Sequence, residues 1–295
     1  MRPLWVTLLL LGSVGCATNL STLQTAKPIK RGQVEVEAGA GAYVNFGQLV
    51  PIISQAIKQT QAAKKAADTG EPFNLSEKDQ QELLTAGIGL AVMPPSQGYE
   101  LRVRTGLMKE DMDLGFRYTG NSYRLDTKYR YFHWEDARTD QPEYRKPSVD
   151  MAVGLAVSKY EFEGVVFDAL DYVQLNDFSR WDIEVPAYFS FDIGDIVQLY
   201  AAPKYLWSRT SLDQELVNIS RQATNITGFD VRLPSTVYMH FLGSSFGIAG
   251  GYKYAHLYLE LTGGYTICDP KVGGQVRHLG GVTLYPAAGL ALKFP

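Results

Sequence analysis

Charged side chains occupy alternate positions in three consecutive segments between residues 99 and 131. Residues that alternate in this way share one face of a β-strand. If that face is enclosed, its surplus of basic groups could bind or pass a small anion. Alternatively, opposite charges on neighbouring strands form ladders that fill and stabilise the interior, which is the interpretation we favour. The six basic and three acidic residues are Glu100, Arg102, Arg104, Asp113, Arg117, Arg124, Asp126, Lys128 and Arg130.

The sequence gives weaker evidence for a catalytic nucleophile and base. Of the 4 histidines, His240 has serines close by, at Ser244 and Ser245, but no spacing pairs a histidine with a nucleophile as hydrolase chemistry requires. We therefore expect His240 to be an ordinary strand residue. Cys268 has no base near it in sequence and is expected to be a structural thiol. No metal-binding pair and no Gly-rich phosphate loop is present, so the sequence predicts no metal, no cofactor and no enzymatic activity.

Composition narrows the class of protein. The 295 residues include 28 Lys+Arg and 31 Asp+Glu, a net charge of -3. Nucleic-acid-binding proteins usually carry a basic face or a raised isoelectric point, so no nucleic-acid partner is expected. The 2 cysteines exclude a disulfide-built scaffold. The 18 Tyr, 13 Phe and 28 Gly favour strands and turns over helices.

The N-terminus has the features of an export signal. Arg2 precedes an apolar run and then small residues before Cys16. The run is about half the ~20 residues that a membrane-spanning helix needs. Ser13-Val14-Gly15-Cys16 resembles the bacterial lipobox, which implies a signal peptide at 1–15 and a lipidated (palmitate-bearing) Cys16, and Ala17 implies sorting to the outer membrane. The alternative is ordinary cleavage near Cys16 without a lipid.

Strict alternation of apolar and polar residues recurs after the N-terminus. It predicts ten strands, at 33–44, 99–107, 112–118, 123–131, 149–158, 181–191, 196–208, 239–252, 256–267 and 281–294. Most are long enough to cross a bilayer at a tilt, which takes about 9–11 residues. An apolar piece at 85–93 is a candidate eleventh strand, and one further segment would then give twelve, because single-chain bacterial barrels have even strand numbers.

Residues 47–98 interrupt this rhythm. A helical period predicts one helix at 50–67 and a capping pattern predicts a second at 76–84, on one mouth of a barrel or in its lumen. The predicted organisation is a signal peptide at 1–15, an N-terminal linker at 16–32, and a β-barrel domain at 33–294 that carries the helical insertion at 47–98.

Alternation alone does not tell which face of a strand meets water. A soluble sandwich packs its apolar phase inward, whereas an outer-membrane barrel turns that phase to lipid and its charges to the lumen. The export signal, the strand lengths and the aromatic residues near strand ends favour the barrel. These aromatic residues are Tyr118, Tyr131, Phe132, Trp134, Trp181, Phe191 and Trp207. The sequence from Leu290 to Phe294 resembles the C-terminal signal used by the barrel assembly machinery.

Several short motifs carry a family resemblance. They are Gly15-Cys16-Ala17, Thr22-Leu23-Gln24-Thr25-Ala26, Gly32-Gln33-Val34, the segment from Tyr99 to Leu107, and Asp113-Leu114-Gly115. Together they resemble a loose group of bacterial outer-membrane β-barrel proteins with a lipoprotein-type signal. The resemblance implies fold and location, and the group has no common assigned activity.

We therefore expect an all-β, antiparallel up-and-down transmembrane barrel of ten or twelve strands, lipid-anchored and integral in the bacterial outer membrane. The expected role is structural or that of a narrow pore with a charged lumen. Expected partners are outer-membrane lipids, the barrel assembly machinery and a small anion in the lumen. Two alternatives stay open, a barrel enzyme acting on lipids and a soluble periplasmic β-sandwich lipoprotein that binds a ligand.

Overall fold

The alternating segments form strands of one sheet that closes on itself in the computed structural model. The structure describes residues 18–69, 82, 89, 96–107, 111–136, 146–162, 178–193, 196–212 and 234–295. The strands are β1 Val34–Asn45, β2 Ser96–Gly106, β3 Met112–Tyr118, β4 Ser122–Glu135, β5 Pro147–Phe162, β6 Phe178–Ile193, β7 Val197–Ser211, β8 Thr236–Tyr252, β9 Ala255–Ile267, β10 Lys271–Val272, β11 Gln275–Val276 and β12 Gly281–Phe294.

Ten of these strands make up the barrel. Neighbours in sequence pair antiparallel from β1 to β9, β12 pairs with β9, and β1 pairs with β12 to close the sheet. The short strands β10 and β11 pair only with each other and form a hairpin between β9 and β12. The predicted up-and-down barrel is thus confirmed with ten strands rather than twelve. The β-sandwich alternative is wrong, because one sheet closes instead of two sheets packing face to face.

A helix follows the first strand, as predicted. Helix α1, Phe46–Thr69, begins directly after β1 and is longer than the predicted 50–67. The predicted helix at 76–84 and candidate strand at 85–93 lie outside the described residues, except for Glu82 and Gly89, which are both helical. Within the described ranges, none of the helical segments combines the length and apolarity needed to cross a membrane.

The two ends of the barrel carry different connections. The terminal end holds the start of β1, the end of β12 and the connections 107–111, 136–146, 194–196 and 253–254. At the opposite end, here called the loop end, α1 follows β1, and the chain leaves β3, β5, β7 and β9 for connections whose sequence ranges are 119–121, 163–177, 212–235 and 268–280. The longest connections therefore gather at the loop end.

The barrel wall turns its apolar residues outward. On β9 the side chains of Leu257, Leu259 and Leu261 are 53%, 53% and 50% exposed, whereas the alternating Tyr258 and Glu260 are buried. The other barrel strands follow the same rule, so charged and polar side chains face the interior. This is the reverse of a water-soluble barrel, in which the polar phase is the exposed one.

Aromatic side chains gather on the outer surface near both ends of the barrel. Tyr118, Trp181 and Trp207 lie toward the loop end, where the Trp207 ring stacks on Tyr238 with a centroid distance of 6.2 Å. Toward the terminal end lie Tyr131, Phe132, Trp134 and Phe191, all exposed. A register shift between Arg130 and Phe132 bends β4 at that rim. The surface between the two groups is mainly aliphatic.

Candidate functional site

The interior of the barrel holds the N-terminal segment of the chain. Residues 18–29 belong to the predicted linker at 16–32 and are here called the luminal segment. They lie inside the barrel and are almost entirely buried. Near the terminal end, the amide of Ile29 donates to Asp113 Oδ2 on β3, 3.1 Å away. Toward the loop end, Arg180 on β6 donates to Thr18 Oγ1 at 2.8 Å. The segment therefore runs lengthwise through the lumen.

Side chains of the wall hold the backbone carbonyls of the luminal segment. Arg117 donates to Ser21 O at 3.0 Å, Arg102 to Thr22 O at 2.7 Å and Lys128 to Thr25 O at 2.8 Å. Lys204 donates to Leu20 O. These carbonyl groups are not part of any strand pairing. A buried peptide group without a partner costs about 1–3 kcal/mol, so the hydrogen bonds from these cations stabilise the segment in the lumen.

Glu260 on β9 holds two adjacent amides of the same segment. Its carboxylate accepts from the amide of Thr22 at 2.7 Å and from that of Leu23 at 2.6 Å. The hydroxyl of Tyr200 on β7 donates to the same carboxylate at 2.8 Å. Hydrogen bonds to an ionised acceptor are stronger than neutral ones, so Glu260 is a principal anchor of the segment.

Glycines in the wall make room for the luminal segment. Gly39 on β1 faces Gly289 on β12 across the strand pair that closes the barrel. A Cβ on Gly39 would lie 2.9 Å from Leu23 Cδ1, and one on Gly289 would lie 3.0 Å from the same atom. Any larger residue at either position would push Leu23 away, so the closing strands are shaped to receive the segment.

All nine charged residues singled out from the sequence lie on the lumen side, and all but the half-buried Arg130 are buried. Arg124 forms a two-pronged pair with Glu184 on β6, with both N–O distances 3.0 Å. Arg104 pairs with Glu35 at 3.1 Å and with Asp113. The other contacts join Arg102 to Glu37 and Glu100, Arg117 to Glu100, Lys128 to Asp113, Asp126 to Arg124, and Arg130 to Asp111 and Asp150.

The carboxylates from other strands change the charge balance inferred from three strands. Among the described residues, ten buried acidic side chains accompany seven buried basic ones. Sequence reasoning left Glu35, Glu37, Glu184 and Glu260 out of the site, although they occupy the same alternating phase of their own strands. Carboxylates thus outnumber basic groups among the described buried side chains, and a small anion in the lumen stays a prediction that no contact tests.

Apolar side chains close the lumen toward the loop end. Leu20 and Leu23 of the luminal segment join a buried cluster with Tyr43, Leu206, Met239, Phe241, Leu279 and Tyr285. Cys268, just after β9, belongs to the same cluster and forms no disulfide. Burial raises the pKa of its thiol to about 12, with Asp269 adding to the effect. Cys268 is therefore a packed, protonated thiol.

At the terminal end, the mouth is reduced to a shallow cavity. Its volume is about 190 Å³, and it is lined by the luminal segment and by strand ends, including Lys30, Gln33, Lys253, Tyr254 and Lys293. Lys253 adopts a positive φ of 51° in the tight turn between β8 and β9. The rest of the described lumen is occupied by buried side chains of the wall and of the luminal segment.

The histidine considered for catalysis points away from the lumen. His240 lies on the outward phase of β8, where its Nδ1 is 2.7 Å from the hydroxyl of Tyr205. Ser245 is on the opposite, buried phase and is hydrogen-bonded to Thr22 and Thr262. Ser244 shares the phase of His240 but is four positions away, about 13 Å along a strand. In the described part of the chain no group of His, Cys, Asp and Glu forms a metal site.

Comparisons with known proteins add little to the geometry. No protein-family model matches the sequence, and no curated protein is similar to it. The crystal structure of Neisserial surface protein A has a TM-score of 0.35 at 12% identity, over 89% of this chain and 96% of that one. The outer membrane protease OmpT from Escherichia coli has a TM-score of 0.34 at 10% identity, over 92% of this chain and 100% of that one. At these values neither similarity transfers a function.

Proposed function

We propose that this protein is an integral β-barrel of the bacterial outer membrane, with a structural envelope role and a lumen closed by its own N-terminal segment. The observation that carries this proposal is the inverted wall, apolar outside and charged inside. Large contiguous apolar surfaces on soluble monomers are rare, and they mark sites that meet another apolar medium. Here the apolar surface surrounds the barrel between two groups of aromatic side chains, as expected for a wall bounded by lipid headgroups.

A filled lumen supports a structural role over that of an open pore. The luminal segment is hydrogen-bonded to β2, β3, β4, β6, β7 and β9, mostly through its own backbone groups. Charged side chains of the wall are paired with one another rather than lining water. An interior filled by side chains is the usual condition of small barrels.

Lipid attachment at Cys16 is part of the proposal. Cys16 and the signal peptide at 1–15 lie outside the described residues, and the lipobox-like sequence is what supports them. Labelling cells with radioactive palmitate tests this point. We expect label in the full chain and in the Cys268→Ala control, and none in Cys16→Ala. Label that persists in Cys16→Ala, or is absent from the full chain, would contradict lipidation there.

The membrane location is tested by tryptophan quenching in lipid vesicles. Trp134, Trp181 and Trp207 lie on the outer surface near the two aromatic groups. Phospholipids brominated on the acyl chains should quench their emission, and a barrel should also migrate differently on gels before and after heating. Emission that brominated lipids leave unchanged, together with no heat-dependent shift, would reject an integral barrel.

A further inference from the structure

The path of the luminal segment sets the two chain ends on opposite sides of the barrel. The C-terminus follows β12 at the terminal end, where β1 also starts. From there the chain, followed backward, enters the lumen at Ile29 beside Asp113 and reaches Thr18 beside Arg180. Arg180 is the third residue of β6, which begins at the loop end. The segment is not fully extended between these contacts, because Asn19 and Ser21 both hydrogen-bond to Glu100 and Leu23 has a positive φ of 42°.

We infer that the barrel delivers its N-terminal residues through its own lumen to the loop end, on the side opposite its C-terminus. The inference rests on the proposed membrane location. Outer-membrane barrels keep their short turns in the periplasm and their long loops outside. Thr18 would then lie toward the external side of the membrane and the C-terminus toward the periplasm.

This arrangement requires the barrel to close around the segment. A lipidated terminus cannot be pushed through a lumen that is already filled by paired charges and by the apolar cluster at the loop end. The seat formed by Gly39 and Gly289 for Leu23 lies on the closing pair, β1 and β12. Leu23 therefore packs against both chain-terminal strands of the barrel, which suits a segment already in place when these two strands pair.

Two tagged variants test the inference. One carries an epitope between Ala17 and Thr18, and the other carries it after Pro295. On intact cells, antibody should bind the first tag, and it should bind the second only after the outer membrane is permeabilised. Tags that become accessible together would overturn the inference. A heat-dependent gel shift in both variants separates this outcome from failure of the proposed membrane barrel.

If the inserted tag prevents assembly, a disulfide cross-link between the luminal segment and β12 tests whether the segment lies in the lumen. In a Cys268→Ala background, the pair Leu23→Cys and Gly289→Cys should yield a 23–289 cross-linked peptide after mild oxidation, because Leu23 packs against Gly289. The matched control replaces the outward neighbour instead, combining Leu23→Cys with Leu290→Cys, and should yield none. Absence of the 23–289 peptide from heat-modifiable protein, or equal yield in the control, would show that the segment does not thread the lumen.

Discussion

The outer and inner faces of the barrel wall are built from the same strands but obey opposite rules. Outward positions such as Leu199, Leu259 and Leu290 are apolar and exposed, while inward positions are charged and buried. The outer face needs only apolar area, so its residues are interchangeable. The inner face needs partners for each charge, because an unpaired buried charge is costly. The outer face should therefore tolerate any apolar substitution. The inner face should tolerate a substitution only if the charged partner of the replaced residue is also satisfied.

Removing the luminal segment should have the largest effect, because it changes the inner face of the wall and leaves the outer face intact. Deleting residues 18–29 leaves Arg102, Arg117, Lys128 and Glu260 without the backbone partners they hold in the full chain. Water should then enter and hydrate them, while the outer face stays unchanged. In planar bilayers we expect discrete conductance steps from the deletion variant and none from the full chain. Equal conductance of the two proteins, with both heat-modifiable, would show that the segment does not close the barrel.

Removing one partner of a luminal ion pair should have the next largest effect. Arg124→Met leaves Glu184 as an uncompensated buried carboxylate, which costs about 3–5 kcal/mol of unfolding free energy. The double variant Arg124→Met with Glu184→Leu should recover part of that loss, because Glu184 no longer needs a partner, while Asp126 still lacks the guanidinium 3.9 Å away. Urea unfolding in lipid vesicles measures both. A single-variant loss below about 1 kcal/mol, the value of an exposed pair, would indicate a hydrated lumen.

A charge on the outer face should cost free energy according to its depth. Leu259→Arg places a cation at the middle of β9 and should lower the unfolding free energy by about 2–4 kcal/mol in lipid vesicles. Ala255→Arg, at the start of the same strand, is the matched control and should cost about 0–1 kcal/mol. Equal effects of the two substitutions would mean that no lipid surrounds this strand.

Cys268 gives the smallest effect and probes the apolar cluster at the loop end. With the pKa of its thiol raised to about 12 by burial, the reactive thiolate is scarce at pH 8. Iodoacetamide should therefore leave Cys268 unmodified in the folded barrel and modify it after unfolding in denaturant. Rapid modification of the folded protein would show that the cluster does not cover the thiol.

Much of the wall could be predicted from sequence, whereas the contents of the lumen could not. The period of two in segments such as 123–131 identified the strands because side chains alternate about a β-backbone. The luminal segment has no such period. Its Thr, Asn, Ser and Gln residues resemble a polar linker, and they are buried because Arg102, Lys128 and Glu260 reach them from strands far away in sequence.

Predicting the charge balance of the lumen requires knowing which strands are adjacent as well as which residues alternate. Glu184 lies in the predicted inward phase of its strand, but its partner Arg124 becomes apparent only when β4 and β6 are known to lie on either side of β5. Similarly, Glu35 pairs with Arg104 because β1 and β2 are paired strands, although residues 46–95 separate them in the sequence. Three strands taken alone therefore indicate a basic strip, whereas all ten strands together bury more carboxylates than basic groups among the described residues.

Thiol accessibility along β12 tests the central claim, a lipid-facing wall around a filled lumen, most directly. In a Cys268→Ala background, single cysteines would replace Ala288, Leu290 and Leu292 on the outer face, and Ala287 and Ala291 on the inner face. A membrane-impermeant thiol reagent applied to the protein in lipid vesicles should modify none of the five until the protein is denatured. Reaction at the three outer positions would contradict the lipid-facing wall. Reaction at the two inner positions would contradict the filled lumen.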